Sequence, residues 1–270
     1  MKFDMSAAWR DAVAMLGGNR EVLLVVAGIF FFLPSLTIAL AMPGLQESML
    51  ADPDNAQAAV AAIYADWWWL LLIVVVVQIV GYLTLLALLR DDSRPTVGDA
   101  IKTGLTGLLP AIGTYLLLTL GLGLVLGVLI GIAAVSGSPA LAVLVVFMVF
   151  VAAVYILVKV SLAGPVIAID KVHNPITVLT RSWGLTKGNS FRLFLFYLLL
   201  FIAYIVIAAV VSLVVGATAL ALGESTALLV NGIVSGILGA IATVVFVAVL
   251  AAVHRQLAGP SAAAVSATFE

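Results

Sequence analysis

Six long apolar segments constrain this chain more than any other feature of its sequence. Each runs for about 20 residues or more with almost no charge, the length that an α-helix needs to cross the hydrocarbon core of a bilayer. Hydrophobic residues make up 64% of the chain and charged residues only 9%, which is too little charge to cover a soluble globule. We therefore predict one all-α, polytopic membrane domain over 1–270, with transmembrane helices at about 22–42, 67–89, 107–135, 141–163, 193–221 and 227–253.

The first apolar segment admits a second interpretation as a secretory signal peptide. Ala39-Leu40-Ala41 resembles a cleavage site. The stretch before the apolar run, however, is long and contains Asp4, Asp11 and Glu21. The run itself also exceeds the about 7–15 residues that are typical of a signal peptide. We expect an uncleaved first span.

The basic residues are distributed very unevenly along the chain. None of the 12 Lys and Arg residues lies in the loops 43–66, 136–140 or 222–226. All of them lie in the N-terminal segment, in 90–106, in 159–192 or at Arg255. Because loops that stay in the cytoplasm are enriched in Lys and Arg, the sequence predicts a bacterial inner-membrane protein with both termini in the cytoplasm.

Short amphipathic segments precede the first, third and fifth spans. At 5–16, 96–105 and 175–187 the pattern predicts short interfacial helices at the cytoplasmic surface. Gly17-Gly18 is expected to end the first of them, and Asn174 followed by Pro175 to begin the third. An interfacial helix followed by a helical hairpin would then occur three times, although apolar segments also align by chance.

The interiors of the predicted spans contain almost no ionisable residues. Lys159, near the end of the fourth span, is the one Asp, Glu, Lys, Arg or His within them. We expect its ammonium to extend to the interface, with an intramembrane ligand as the alternative. Gln78 and Asn231 are expected to hydrogen-bond between helices, and a polar substrate pair is the alternative. Ion-coupled pumps and proton relays need paired ionisable groups at depth, so this sequence argues against them.

Motifs for catalysis, metals and cofactors are missing from the sequence. There is no cysteine, no Gly-x-Ser-x-Gly nucleophile motif, no His-Glu-x-x-His helix and no Walker-type phosphate loop. We therefore expect a non-enzymatic protein with no metal and no cofactor, and we expect no nucleic-acid partner.

Glycines recur at four-residue intervals in two of the spans. Such spacing places small residues on one helical face and lets helix backbones approach closely. The approach can occur within the bundle, between protomers of a homo-oligomer, or with a membrane-protein partner. The residues are Gly123, Gly127 and Gly131 in the third span and Gly232 and Gly236 in the sixth.

The segment between the fourth and fifth spans carries a recognisable motif. It reads Arg181-Ser-Trp183-x-Leu185-Thr-Lys187-Gly188-Asn189 followed by Phe191-Arg192, with Pro165 to Asp170 before it. This pattern resembles the membrane domain attached to some glycerophosphodiester phosphodiesterases, and the related six-span bacterial inner-membrane proteins of the YciC type. Those families have Glu where this chain has Asp170. The resemblance implies a six-span fold in the cell envelope and no esterase activity, because the phosphodiesterase catalytic acids have no counterpart in this sequence.

The motif residues are the candidates for contact with anionic lipid headgroups. Their cations would meet phosphates in a basic pocket between helices, or instead serve topology and helix capping and pair with Asp170, Asp91 or Asp99. The expected function is a membrane or envelope scaffold that contacts lipid headgroups or a partner protein. A passive transporter or channel for a small or lipidic substrate is the alternative. The candidate residues are Asp170, Arg181, Trp183, Lys187, Asn189 and Arg192.

Overall fold

The computed structural model describes residues 2–42, 56–90, 95–222 and 224–259, and within these ranges every regular element is helical. Six helices are long and apolar enough to cross a membrane, which confirms the predicted all-α membrane fold. The elements are α1 (Met5–Ala27), a π-helical turn (Gly28–Phe32), α2 (Leu33–Ala41), α3 (Ala56–Leu88), α4 (Val97–Val135), α5 (Pro139–Val160), α6 (Ala163–Ala168), α7 (Pro175–Leu185), α8 (Ser190–Leu222) and α9 (Glu224–Ala258).

The membrane-spanning candidates agree with the predicted segments but several extend further. They comprise Arg20–Ala41, Ile63–Leu88, Val97–Val135, Pro139–Ala168, Ser190–Ala217 and Leu229–Ala258. Helix α3 already begins at Ala56, so the prediction of a loop over 43–66 is wrong for 56–66. The rest of that loop, 43–55, lies outside the described residues, as do 91–94, Gly223 and 260–270.

The predicted break at Gly17-Gly18 is wrong. Helix α1 runs without interruption from Met5 to Ala27 and continues through the π-helical turn into α2. Ala8 and Ala12 before the glycines, and Leu23 after them, are all buried. Packing on both sides of the glycines therefore outweighs their low helix propensity, which costs only about 1 kcal/mol per residue.

Of the three predicted interfacial helices, one stands apart from its span. The segment at 5–16 is part of α1 and that at 96–105 is part of α4. The third forms α7, which begins at Pro175 with the Asn174 side chain accepting hydrogen bonds from the N–H groups of Ile176 and Thr177. That cap confirms the predicted start of the third helix. The threefold repeat itself stays a prediction.

The buried core lies toward one end of the bundle. This end, where 2–11, 159–192 and 254–256 meet, is called the basic end below. Glycines allow the closest helix crossing near it: a Cβ at Gly104 of α4 would lie 2.6 Å from both the hydroxyl oxygen of Thr84 and the carbonyl oxygen of Val80 in α3. The two helices therefore meet backbone to backbone at this point.

Away from the basic end the third, fourth and fifth spans have few neighbours. In the most apolar 18-residue stretch of each of these spans, only 6%, 6% and 0% of the residues are buried within the chain. These helices therefore present their sides to lipid or to another protein. A Cβ at Gly123, Gly127 or Gly131 would meet nothing within 4 Å. Gly232 and Gly236 instead face Ala39 and Phe32 of the first span, at 3.0 and 3.1 Å. Within the chain, close packing thus applies only to the second of the two predicted glycine faces.

Candidate functional site at the basic end

Asp170 joins two helices that are far apart in sequence. Its Oδ2 atom accepts a hydrogen bond from Nε of Arg181 in α7 and lies 3.2 Å from Nε2 of His254 in α9. The side chains of Asp170 and His254 are only 16% and 4% exposed, whereas Arg181 is 45% exposed. The carboxylate therefore ties α7 to the last helix at a position that is largely closed to solvent.

Two opposing effects set the pKa of Asp170. Burial raises the pKa by disfavouring the charged form, while hydrogen bonds from His254 and Arg181, and the charges of both groups, lower it. The lowering effects prevail, so the pKa of Asp170 lies below its ordinary value. Asp170 is a carboxylate at neutral pH, which suits an ion pair rather than a general acid.

Lys159 is enclosed between α5 and α7. It is 3% exposed, and its Nζ atom lies 5.6 Å from the ring centre of Tyr155 and 5.3 Å from that of Trp183. Such cation–π contacts hold an ammonium without a carboxylate. The ammonium of Lys159 is therefore covered by Trp183 and by Tyr155 of the preceding turn, and its position at the cytoplasmic interface stays a prediction.

The motif also fastens α7 to the end of α5 through hydroxyl groups. Ser182 and Thr186 are both buried. The Ser182 hydroxyl donates to the carbonyl oxygen of Lys159 at 2.8 Å, and the Thr186 hydroxyl lies 3.3 Å from the same oxygen and 3.0 Å from the carbonyl oxygen of Ser182. This carbonyl is in the last turn of α5, where helix carbonyls lack partners within the helix. The Ser and Thr of the motif thus complete the end of the fourth span.

The N-terminal segment docks onto the same end of the bundle. The buried Phe3 donates its backbone N–H to the side-chain oxygen of Asn189 at 2.9 Å, and its ring packs against Phe196. Nη1 of Arg192 lies 3.5 Å from the carbonyl oxygen of Phe3, a long hydrogen bond. Asp4 donates its N–H to Gln256 of α9 at 3.2 Å.

Two cations line a pocket between the N-terminal segment and α8. The pocket encloses about 650 Å³ and includes Lys2 and Arg192 together with the apolar Phe191 and Leu195. Asp4 also lines it, but Oδ1 of Asp4 already accepts the N–H of Ala7 as the helix cap. The pocket thus combines two positive groups and the Asp4 carboxylate with an exposed aromatic ring.

The structure separates the six predicted site residues into three places. Asp170 and Arg181 form the buried bridge, Trp183 covers Lys159, and Asn189 holds the N-terminus. Lys187 and Arg192 have exposed side chains. The pairing of Arg181 with Asp170 was one of the alternatives predicted from the sequence, and it is confirmed.

Sequence reasoning missed three partners at this site: Phe3, His254 and Gln256. Each lies more than 80 positions from the residue that it contacts, at separations of 186, 84 and 252. One signal was available. A buried histidine and a glutamine at the end of an apolar span call for hydrogen-bond partners, and the motif offered a carboxylate.

The helices and this end of the bundle define an integral, polytopic α-helical membrane protein. Among the described residues, no group of three or more His, Asp or Glu side chains is placed to hold a metal ion. The family model for a domain of unknown function, DUF7847, matches residues 4–257, and the chain belongs to this family. No curated protein and no solved structure matches the chain. The resemblance to YciC-type proteins and to the phosphodiesterase-associated domain stays a prediction.

Proposed function

We propose that this protein is a non-enzymatic scaffold of a bacterial inner membrane whose basic end binds anionic lipid headgroups on the cytoplasmic side. The observation that carries the proposal is the pocket that contains Lys2 and Arg192. An Arg fork matches a phosphate group in shape and charge, and a Lys adds a second cation at the same level. Exposed Phe191, at 71%, and Leu195 supply an apolar floor for acyl chains.

The orientation rests on the distribution of charge. Most basic residues of the described chain belong to segments at or next to the end that carries both the N-terminal segment and α7, whereas Arg20 lies beside Ala240 to Val245 of α9. Under the positive-inside rule this end faces the cytoplasm. The cytoplasmic leaflet also carries the anionic lipids that attract Lys and Arg, at about 1 kcal/mol for each residue near the surface.

Arg181 contributes to the fold rather than to the pocket in this proposal. It already has a carboxylate partner in Asp170, and a second anion would have to compete with that ion pair. Lys187, with an exposed side chain close to the start of α8, adds to the positive field around the pocket. The proposal therefore assigns headgroup contact to Lys2 and Arg192, and a longer-range electrostatic role to Lys187.

A double variant, Lys2→Gln with Arg192→Gln, tests the proposal. Loss of two surface cations is expected to weaken binding of phosphatidylglycerol by about 2 kcal/mol, which is roughly thirtyfold. The measurement is native mass spectrometry of the purified full chain titrated with this lipid. Lys102→Gln is the matched control, because Lys102 is also exposed and lies in the first turns of α4. Equal losses in the control and the double variant, or no loss in either, would overturn the proposal.

A further inference from the structure

A second cavity lies among the first three spans, away from the basic end. It has a volume of about 510 Å³, lies between the π-helical turn, α3 and α4, and is largely open on one side. Its polar lining comes from Gln78, Tyr82, Tyr115 and Thr119, and Phe31 adds an aromatic wall. The remainder is aliphatic. A volume of this size, with few polar groups in an apolar lining, is typical of small-molecule sites.

The helix packing explains why space opens here. Gly104 and Gly107 hold α4 tightly against α3 near the basic end. Pro110 then interrupts the hydrogen bonding of α4, because it has no N–H to offer the preceding turn. Beyond this point Ile112, Tyr115 and Leu116 of α4 line the cavity, so large side chains border the space between the two helices.

The π-helical turn forms the third wall of the cavity. Phe30 packs onto Gly81 of α3 in direct contact, and Phe31 lines the cavity. A π-helical turn inserts one extra residue into a helix and is frequent at functional sites. Here it brings two consecutive aromatic rings onto α3.

Polar groups in this cavity lack partners within the protein. Among the described residues, none makes a hydrogen bond to the Gln78 amide or to the hydroxyls of Tyr82 and Tyr115. Gln78 precedes the end of α3 at Leu88 by ten residues, about 15 Å of helix. That distance is close to half the thickness of the hydrocarbon core. Unpaired amide and hydroxyl groups at such depth are costly and call for a partner.

The cavity has access from the side of the bundle. Val75 of α3 and Tyr115 and Leu116 of α4 line it and are 50%, 45% and 54% exposed. In a membrane these surfaces face lipid. A molecule that is already dissolved in the bilayer can therefore enter without leaving the hydrocarbon.

We propose that this cavity binds an uncharged lipid whose headgroup carries carbonyl or hydroxyl oxygens. The Gln78 amide and the Tyr115 hydroxyl supply donors for those oxygens, and the aromatic and aliphatic walls receive the apolar part. The hydroxyl of Tyr82 instead packs against Gly164 of α6. No residue that lines the cavity is charged, so an anionic headgroup would be buried there without a counterion. The site is separate from the headgroup pocket and does not rest on the scaffold function.

Two kinds of lipid share this chemistry: glycerolipids that lack a phosphate, and quinones. The probes are dioctanoylglycerol and decylubiquinone, each titrated into the purified full chain in micelles and followed by native mass spectrometry. Dioctanoyl phosphatidylglycerol serves as the anionic comparison. Binding of dioctanoylglycerol would indicate a glycerolipid, and binding of decylubiquinone a quinone, as the molecule that supplies the oxygens.

Gln78→Leu and Tyr115→Phe are the test variants, and Asn231→Leu is the control. Asn231 is an exposed amide in the sixth span, outside the cavity. Loss of one hydrogen bond is expected to weaken the neutral probe about threefold to tenfold in either test variant. The control and the anionic lipid should be unaffected. Tyr115→Phe removes a single exposed hydroxyl, so it remains informative if Gln78→Leu lowers the yield of folded protein.

Three outcomes would overturn the proposal: neither neutral probe binds the wild type, the control weakens binding as much as the test variants, or neither test variant weakens it. Failure of the phosphatidylglycerol titration described above would leave this result untouched, because the two sites share no residue.

Discussion

Replacing Asp170 by Ala should destabilise the protein more than any single exposed charge at the basic end. The change removes the partner of His254, whose side chain is 4% exposed. A buried hydrogen-bonding group left without a partner costs about 1–3 kcal/mol. The contact with Arg181 adds about 0–1 kcal/mol, since that side chain is nearly half exposed and its charge is screened. Together we expect a loss of about 1–4 kcal/mol in the free energy of unfolding.

The measurement is equilibrium unfolding in mixed micelles, followed by far-ultraviolet circular dichroism. Asp11→Ala is the control, because Asp11 also pairs with a cation of α9, Arg255, at 2.7 Å. Both of those side chains are about 40% exposed, and we expect a loss of at most about 1 kcal/mol. Similar losses in the two variants would refute the reasoning that burial makes the Asp170 bridge strong.

Three further predictions concern acid, packing and topology. Since the pKa of Asp170 is lowered on folding, its contribution is complete above its ordinary value of about 3.9 and is lost as the pH falls through the lowered value. Between about pH 6 and pH 3, the free energy of unfolding should therefore fall further for the wild type than for Asp170→Asn. Parallel plots of this free energy against pH for the two proteins would contradict the prediction. Gly104→Ala should lower the free energy of unfolding by about 1–3 kcal/mol, because the added methyl group overpacks against α3. Gly123→Ala should leave that free energy almost unchanged. Equal losses in the two variants would contradict the close crossing of α3 and α4. A cysteine in place of Glu224 should react with an impermeant thiol reagent outside spheroplasts and one in place of Lys187 should not, while reversed labelling would contradict the proposed orientation.

The membrane fold could be predicted because length and composition alone decide it. Apolar runs of this length have no stable alternative to a spanning helix, since every backbone polar group must be paired inside the bilayer. Sequence signals for helix ends were equally informative where the contacts that set the end are close in sequence. Asn174 and Pro175 set the start of α7 through contacts within three residues.

Features set by packing could not be predicted in the same way. The glycines at 17 and 18 suggested a helix end, but buried neighbours on either side keep α1 continuous. Lys159 resembled an interfacial lysine, yet an aromatic residue four positions before it and Trp183 of α7 enclose its ammonium. In both cases at least one deciding contact comes from another helix, which a single sequence does not place.

The headgroup and cavity sites differ in how far the sequence pointed to them. Arg192 stood in the motif, but nothing in the pattern indicated that Lys2 would share a pocket with it. Gln78 was a conspicuous polar residue in an apolar span. Its neighbours Tyr82 and Tyr115 could be recognised only after α3 and α4 were placed side by side.

The contacts between the two ends of the chain have a consequence for biosynthesis. Gln256 receives the N–H of Asp4, Arg255 pairs with Asp11, and His254 meets Asp170. All three partners lie in the last turns of α9, so a chain made only as far as the fifth span leaves both the N-terminal segment and α7 without them. Final closure of this end must therefore follow completion of the sixth span. A product that lacks α9 would present Asp11 without Arg255, and Asp170 with Arg181 but without His254, to the proteases that survey membrane proteins.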